Sequence, residues 1–272
     1  MGVCMDQTYY TNTKSKRFIL MTSNQTKVDI VAFGAHPDDI ELSAGGTIAK
    51  AVAEGKSVVL VDLTQGEMGS RGTPEIRLKE AHEAGKILGA TERLNLGLPD
   101  TQVSNSRENQ LKVIQILRAY RPQVVFANAP VDRNPDHGNG SDLIRDSFFL
   151  SGLTKIQTSG ADKNDQEPWR PSHLLFYMQD TPFEPDLIID ITDHLETKEA
   201  SIVAHASQVN VTSPGDEPVT YISSPTFFES IRARTRTYGH RAGCTHGEPF
   251  KLGRAPFMLS TLDALFDRKI AR

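Results

Sequence analysis

The chain has 272 residues, 38% of them hydrophobic and 24% charged, enough to bury the core of one large α/β domain. A net charge of −4 excludes the broad basic surface that nucleic-acid binding requires. Two cysteines, Cys4 and Cys244, exclude a disulfide framework and point to a reducing cytoplasm, and the apolar run Phe18 to Met21 is too short for a membrane span or a signal-peptide core.

Residues 1–27 are polar and lack an apolar period, so they read as a tail, with Met21 an alternative start. A single domain is expected over 28–272. Val28 to Ala35 is a short apolar run, hence a buried parallel strand. Gly45 to Glu54 has helical spacing and stops at Gly55. Ser57 to Leu63 is a second buried strand, followed by the glycine-rich loop Gln65 to Gly72. Thr73 to Leu88 is a helix that Thr73 can cap and Pro74 can open. A weaker strand at Arg93 to Leu96, an amphipathic helix at Glu108 to Tyr120 and a buried strand at Gln123 to Ala127 follow. Helices are expected at Asp142 to Leu153, Glu196 to Ser207 and Phe227 to Tyr238, and strands at Leu174 to Met178 and Asp186 to Ile191. Val211 to Pro225, rich in Ser, Thr and Pro, reads as a mobile segment near a ligand. Strands alternating with helices imply a Rossmann-like, doubly wound, mostly parallel sheet covered on both faces.

Two clusters carry the chemistry. His36-Pro37-Asp38-Asp39-Ile40-Glu41 follows the first strand, and Asp132-Arg133-Asn134-Pro135-Asp136-His137 follows the fourth. In a strand order 3-2-1-4-5 these two strands are neighbours at the point where the order reverses, which is where such sheets bind ligands. Two imidazoles and one carboxylate with an open position make a catalytic zinc set. Adjacent side chains point different ways, so one of Asp38 and Asp39 can bind metal while the other faces the attacking water as general base. Taken singly, an Asp-Asp after a strand is more often a helix cap, and a loop His is more often a surface residue. The two motifs together, each behind an apolar strand, favour the metal site.

These stretches, with Gly45-Gly46-Thr47, Arg77-Leu78-Lys79-Glu80-Ala81, Leu96-Gly97-Leu98-Pro99-Asp100 and Gly247-Glu248-Pro249-Phe250, resemble the LmbE-like, PIG-L-like family of zinc N-acetylglucosaminyl deacetylases. Within it the likeness is strongest to the bacillithiol-pathway branch that acts on N-acetylglucosaminyl-malate. The resemblance implies one zinc per chain on His36, Asp39 and His137, Asp38 as general base, and a homo-oligomer, in related proteins often a hexamer. It implies that Arg77 holds a substrate carboxylate, for which a planar guanidinium is apt; Arg71 is a second candidate for the same task. Asp100 is expected either to bond sugar hydroxyls or to cap a turn.

The chain departs from the family at Asn134, where His is usual. Asn can donate a neutral hydrogen bond to an oxyanion but cannot deliver a proton. Either Asp38 moves the proton alone, or His205, His240 or His246 enters the site, or activity is low. Rival readings are a deacetylase of another N-acetyl sugar or thiol conjugate, and a non-catalytic metal- or sugar-binding member. A nucleotide-binding Rossmann protein is disfavoured by the absence of Gly-x-Gly-x-x-Gly after Ala35.

Overall fold

The computed structural model describes residues 27–209, 218–224 and 226–253. The expected tail therefore lies outside the described residues, apart from Lys27, and so does most of the expected mobile segment.

The apolar runs form strands β1 (Ile30–Gly34), β2 (Val58–Thr64), β3 (Glu92–Leu98), β4 (Val124–Ala127) and β5 (His173–Tyr177), all parallel. Side chains alternate between the faces of a strand. Val31, Phe33, Val59 and Val61 accordingly enter one core cluster, and Ile30, Ala32, Val58 and Leu60 enter the other. Both faces are apolar because both are covered. Helices α3 (Arg107–Tyr120) and α4 (Pro135–Leu150) pack on the first through Val113, Leu117, Leu143 and Ile144, and α1 (Asp39–Ala53) packs on the second through Ile40, Ala44 and Ile48. α2 (Pro74–Ile87) is capped by Thr73, whose side chain accepts from the Ile76 N–H.

The sheet order is β3-β2-β1-β4-β5-β7-β6. Strand β1 pairs with β2 on one side and with β4 on the other, so the order reverses between β1 and β4, as expected. The edge completes with β6 (Leu187–Asp190) and β7 (Gly247–Leu252), and β7 runs antiparallel to both β5 and β6. The last part of the chain supplies α5 (Leu195–Val203), the short α6 (Ala206–Val209) and α7 (Phe227–Ala242).

The structure corrects the sequence reading in three places. Helix α1 begins at Asp39, not Gly45, and α4 begins at Pro135, not Asp142. Glycines in their N-terminal halves (Gly45 and Gly46 in α1, Gly138 and Gly140 in α4) hide the periodicity. At Gly46 a Cβ would lie 2.7 Å from Ile191, so the missing side chain serves close packing. Strand β7 escaped because Gly247-Glu248-Pro249-Phe250 carries no strand alternation. Its Glu248 is buried and turned to Lys198 (2.6 Å) and the amides of Gly46 and Thr47.

Candidate active site

Both early helix starts place chemistry. The β1–α1 turn delivers His36, Asp38 and Asp39, and Asn134 caps α4 so that His137 sits in its first turn. The two imidazoles face each other across 5.4 Å between ring centroids. Asp39 lies between them, its Oδ2 3.7 Å from His36 Nδ1 and its Oδ1 3.2 Å from His137 Nε2. One ligand atom from each of the three can be chosen so that all lie within 4.8 Å of one another.

Each imidazole is held from behind by a carboxylate. Nε2 of His36 is 3.1 Å from Asp100 Oδ1 and 3.5 Å from Asp136 Oδ2. Nδ1 of His137 is 2.6 Å from Asp132 Oδ2. A carboxylate on the far ring nitrogen fixes the tautomer that leaves the near nitrogen free for a metal. The donor set and its supports therefore fit a zinc-type cation.

Asp39 is itself fixed: Oδ2 accepts from the His36 amide (3.0 Å) and Asn128 Nδ2 (2.9 Å), and Oδ1 accepts from Gln179 Nε2 (3.1 Å). Burial opposes its charge, but the neighbouring imidazoles outweigh burial and hold its pKa well below the ordinary carboxylate range. Burial would likewise lower the pKa of both imidazoles. For His36 the carboxylates of Asp100, Asp136 and Asp39 overcome this, and for His137 Asp39 and Asp132 raise it to about 9. The triangle is built to attract positive charge, whether protons or a cation.

Asp38 points elsewhere. It is buried, which pushes its pKa up, against the opposing pull of Arg77. It lines a cavity of about 380 Å³ shared by His36, Asp39, Asn134 and His137, within the range of small-molecule sites. Asn134 Oδ1 accepts from the Asp136 amide at 3.0 Å, while its Nδ2 bonds no described residue. The amide therefore keeps a donor for a ligand.

The other expected site residues make contacts within the protein. Asp100 borders the cavity, but its Oδ1 is taken by His36 and its Oδ2 accepts from the Met68 amide at 2.9 Å. Arg77 also borders the cavity, yet Nη1 donates to Gly66 O and Nη2 to Pro37 O, each at 2.9 Å, so its fork is turned on the protein. Arg71 does not line the cavity. Its guanidinium reaches Ser207 O (2.9 Å) and Pro218 O (3.1 Å), bonding the glycine-rich loop to neighbouring backbone. None of His205, His240 and His246 lines the cavity. His205 is fully buried, 3.5 Å from Glu41 Oε2, and His246 is engaged by the Thr235 hydroxyl.

Sequence reasoning placed Asp132 in the second cluster without giving it a role, and it missed Asn128, Gln179, Tyr221 and Arg234. Asp132 opens the second cluster, and Asn128 and Gln179 stand just past the ends of β4 and β5, a position that signals a site only once the sheet order is known. Arg234, on α7, borders the cavity with Phe227 and Ile231, and donates to the carbonyls of Gln179 and Leu42. Tyr221 donates to Asp180, whose other oxygen accepts from Arg133 at 3.0 Å.

The fold and the site define a metal-dependent N-deacetylase, a hydrolase of N-acetylglucosamine-type conjugates. The chain belongs to the PIG-L family, whose model, described as GlcNAc-PI de-N-acetylase, matches residues 31–148. A conserved protein of Thermus thermophilus with a solved structure is 39% identical, with a TM-score of 0.75, the match covering 86% of this chain and 98% of that one. A diacetylchitobiose deacetylase of Thermococcus kodakarensis is 28% identical over 66% of this chain and 69% of its own length. A 1D-myo-inositol 2-acetamido-2-deoxy-alpha-D-glucopyranoside deacetylase of Saccharomonospora viridis is 28% identical over 65% of this chain and 84% of its own. Among the described residues no helix is long and apolar enough to cross a membrane.

Proposed function

We propose that the protein hydrolyses the acetamide of N-acetylglucosaminyl-malate, giving glucosaminyl-malate and acetate, with zinc held by His36, Asp39 and His137. The observation that carries the reading is the placement of the unligated carboxylate of Asp38 in the same cavity as the ligand triangle. Zinc bound there would polarise the acetyl carbonyl and acidify a water for attack near neutral pH.

Asp38 takes the proton of the attacking water. Burial raises its pKa, which makes it a better base than an exposed carboxylate. A C–O bond forms at the acetyl carbon, and the negative charge moves onto the carbonyl oxygen. Asn134 Nδ2 is the free neutral donor for that oxygen. When the C–N bond breaks, Asp38 returns the proton to the leaving amine. No imidazole besides the two ligands lines the cavity, which supports assigning both proton transfers to Asp38. With the forks of Arg77, Arg71 and Arg234 all turned on backbone carbonyls, Arg133, which bonds Asp180 through Nε alone, is among the described residues the guanidinium group at the cavity left to meet a malyl carboxylate.

A second reading keeps the chemistry and changes the aglycone. The relatives named above act, by name, on diacetylchitobiose and an inositol glycoside, and the cavity has an apolar wall of Leu42, Met68, Ile222, Phe227 and Ile231. Zinc-loaded protein should be compared on N-acetylglucosaminyl-malate, diacetylchitobiose and the inositol conjugate by kcat/KM. Preference for the malyl substrate supports the first reading, and preference for either of the others replaces it.

A further inference from the structure

Asp38 is held in a conformation that its own chemistry disfavours. Its φ is 130°, in the region that residues with a side chain rarely adopt. Such a backbone persists only where its surroundings over-determine it. Arg77, buried on α2, provides that restraint. Its Nη2 donates to Pro37 O at 2.9 Å and to Asp38 Oδ2 at 3.3 Å, so one nitrogen grips both the peptide that enters Asp38 and its carboxylate. Its Nη1 donates to Gly66 O at 2.9 Å, tying the β1–α1 turn to the loop after β2.

Gly66 is shaped to this contact. Its φ is +66°, and a Cβ there would lie 1.8 Å from Arg77 Nη1. Only glycine leaves room for the guanidinium. Two separate departures from ordinary sequence preference, a strained Asp and an obligatory Gly, thus converge on one arginine.

We propose that Arg77 is a positioning residue for the Asp38 base and is not the group that receives a substrate carboxylate. The inference rests on the deacetylase reading of Asp38 and deepens it. It assigns recognition of the aglycone to other residues and predicts that loss of Arg77 is felt equally by substrates with and without a carboxylate.

The test compares zinc-loaded wild type, Arg77→Lys, Arg77→Met and Gly66→Ala on N-acetylglucosaminyl-malate and on plain N-acetylglucosamine, with zinc content measured in each. The expected result is a fall in kcat of about 10²-fold, the cost of misplacing a catalytic group by about 1 Å, similar for both substrates, with KM little changed and one zinc per chain retained. A rise in KM confined to the malyl substrate would overturn the proposal. A denaturant double-mutant cycle between Arg77→Met and Asp38→Gly gives a readout without turnover. Glycine relieves the strained φ, so the double variant should lose less stability than the two single losses added together. Strict additivity would overturn the proposal. If wild type turned over neither substrate, the deacetylase reading would fall, and the cycle would still decide whether Arg77 holds Asp38.

Discussion

Asp132 Oδ2 lies 2.6 Å from Nδ1 of His137, and its Oδ1 accepts the amides of Asp180 (2.9 Å) and Thr181 (2.7 Å). One carboxylate thus orients a metal-ligand imidazole and bonds the turn after β5. The carboxyl is held down at about pKa 2: burial would raise it, but the hydrogen bonds from His137 and the backbone prevail.

Replacing it should therefore weaken metal binding before it weakens the fold. For Asp132→Asn we expect a loss of about 10- to 100-fold in zinc affinity by chelator competition. Unchanged affinity would show that the imidazole needs no support from behind.

The pH dependence has a defined sign. In the metal-free fold His137 has a pKa of about 9 against an ordinary 6.5, because Asp39 and Asp132 outweigh the opposing effect of burial. A raised imidazole pKa stabilises the fold fully below pH 6.5, and that contribution is lost as pH rises through 9. The same proton must leave before the ring can ligate a metal. From pH 6.5 to 9 the Tm of the metal-free protein should fall while the rise in Tm on adding zinc grows. A zinc-induced shift that stays flat across this window contradicts the assignment of His137 as a ligand.

Beneath the site, Arg93 bonds Asp62 through two nitrogens at 2.9 and 2.8 Å and also bonds Glu41, joining β3, β2 and α1. All three are buried. Burial opposes the Glu41 charge, but Arg93 prevails and brings its pKa to about 2. Arg93→Met strands two carboxylates and should cost about 3–5 kcal/mol by denaturant unfolding. Replacing Glu41 and Asp62 with Leu in the same chain should recover most of it, and a loss below about 1 kcal/mol would mean the network is not coupled to folding.

Asn134 does two jobs, capping α4 through Oδ1 and presenting Nδ2 to the cavity. Asn134→Ser keeps a capping oxygen and withdraws the amide, so stability should hold while kcat falls by up to about 10²-fold. Asn134→His should raise kcat by restoring a donor that can carry charge. If neither variant changed kcat, the oxyanion would have to be met by another group.

The central sheet was legible because β1, β2 and β4 are continuous apolar runs, and their order brought His36, Asp39 and His137 to one point. What was not legible depends on contacts distant in sequence. Asp100 and Arg77 look available for a ligand, and only the fold shows Asp100 taken by His36 and Arg77 by Pro37, Asp38 and Gly66. Gln179 gives no local signal, since its role follows from standing 3.1 Å from Asp39, 140 positions away. The starts of α1 and α4 were missed because each combines a polar ligand motif with glycines, and the chemistry sits in those first turns.

The most direct test is the release of acetate and free amine from N-acetylglucosaminyl-malate by zinc-loaded protein beside an Asp38→Asn control. We predict turnover in the wild type and a loss of about 10²–10⁴-fold in the control with zinc still bound. Equal rates in the two proteins, or no turnover by a wild type carrying one zinc per chain, would contradict the account.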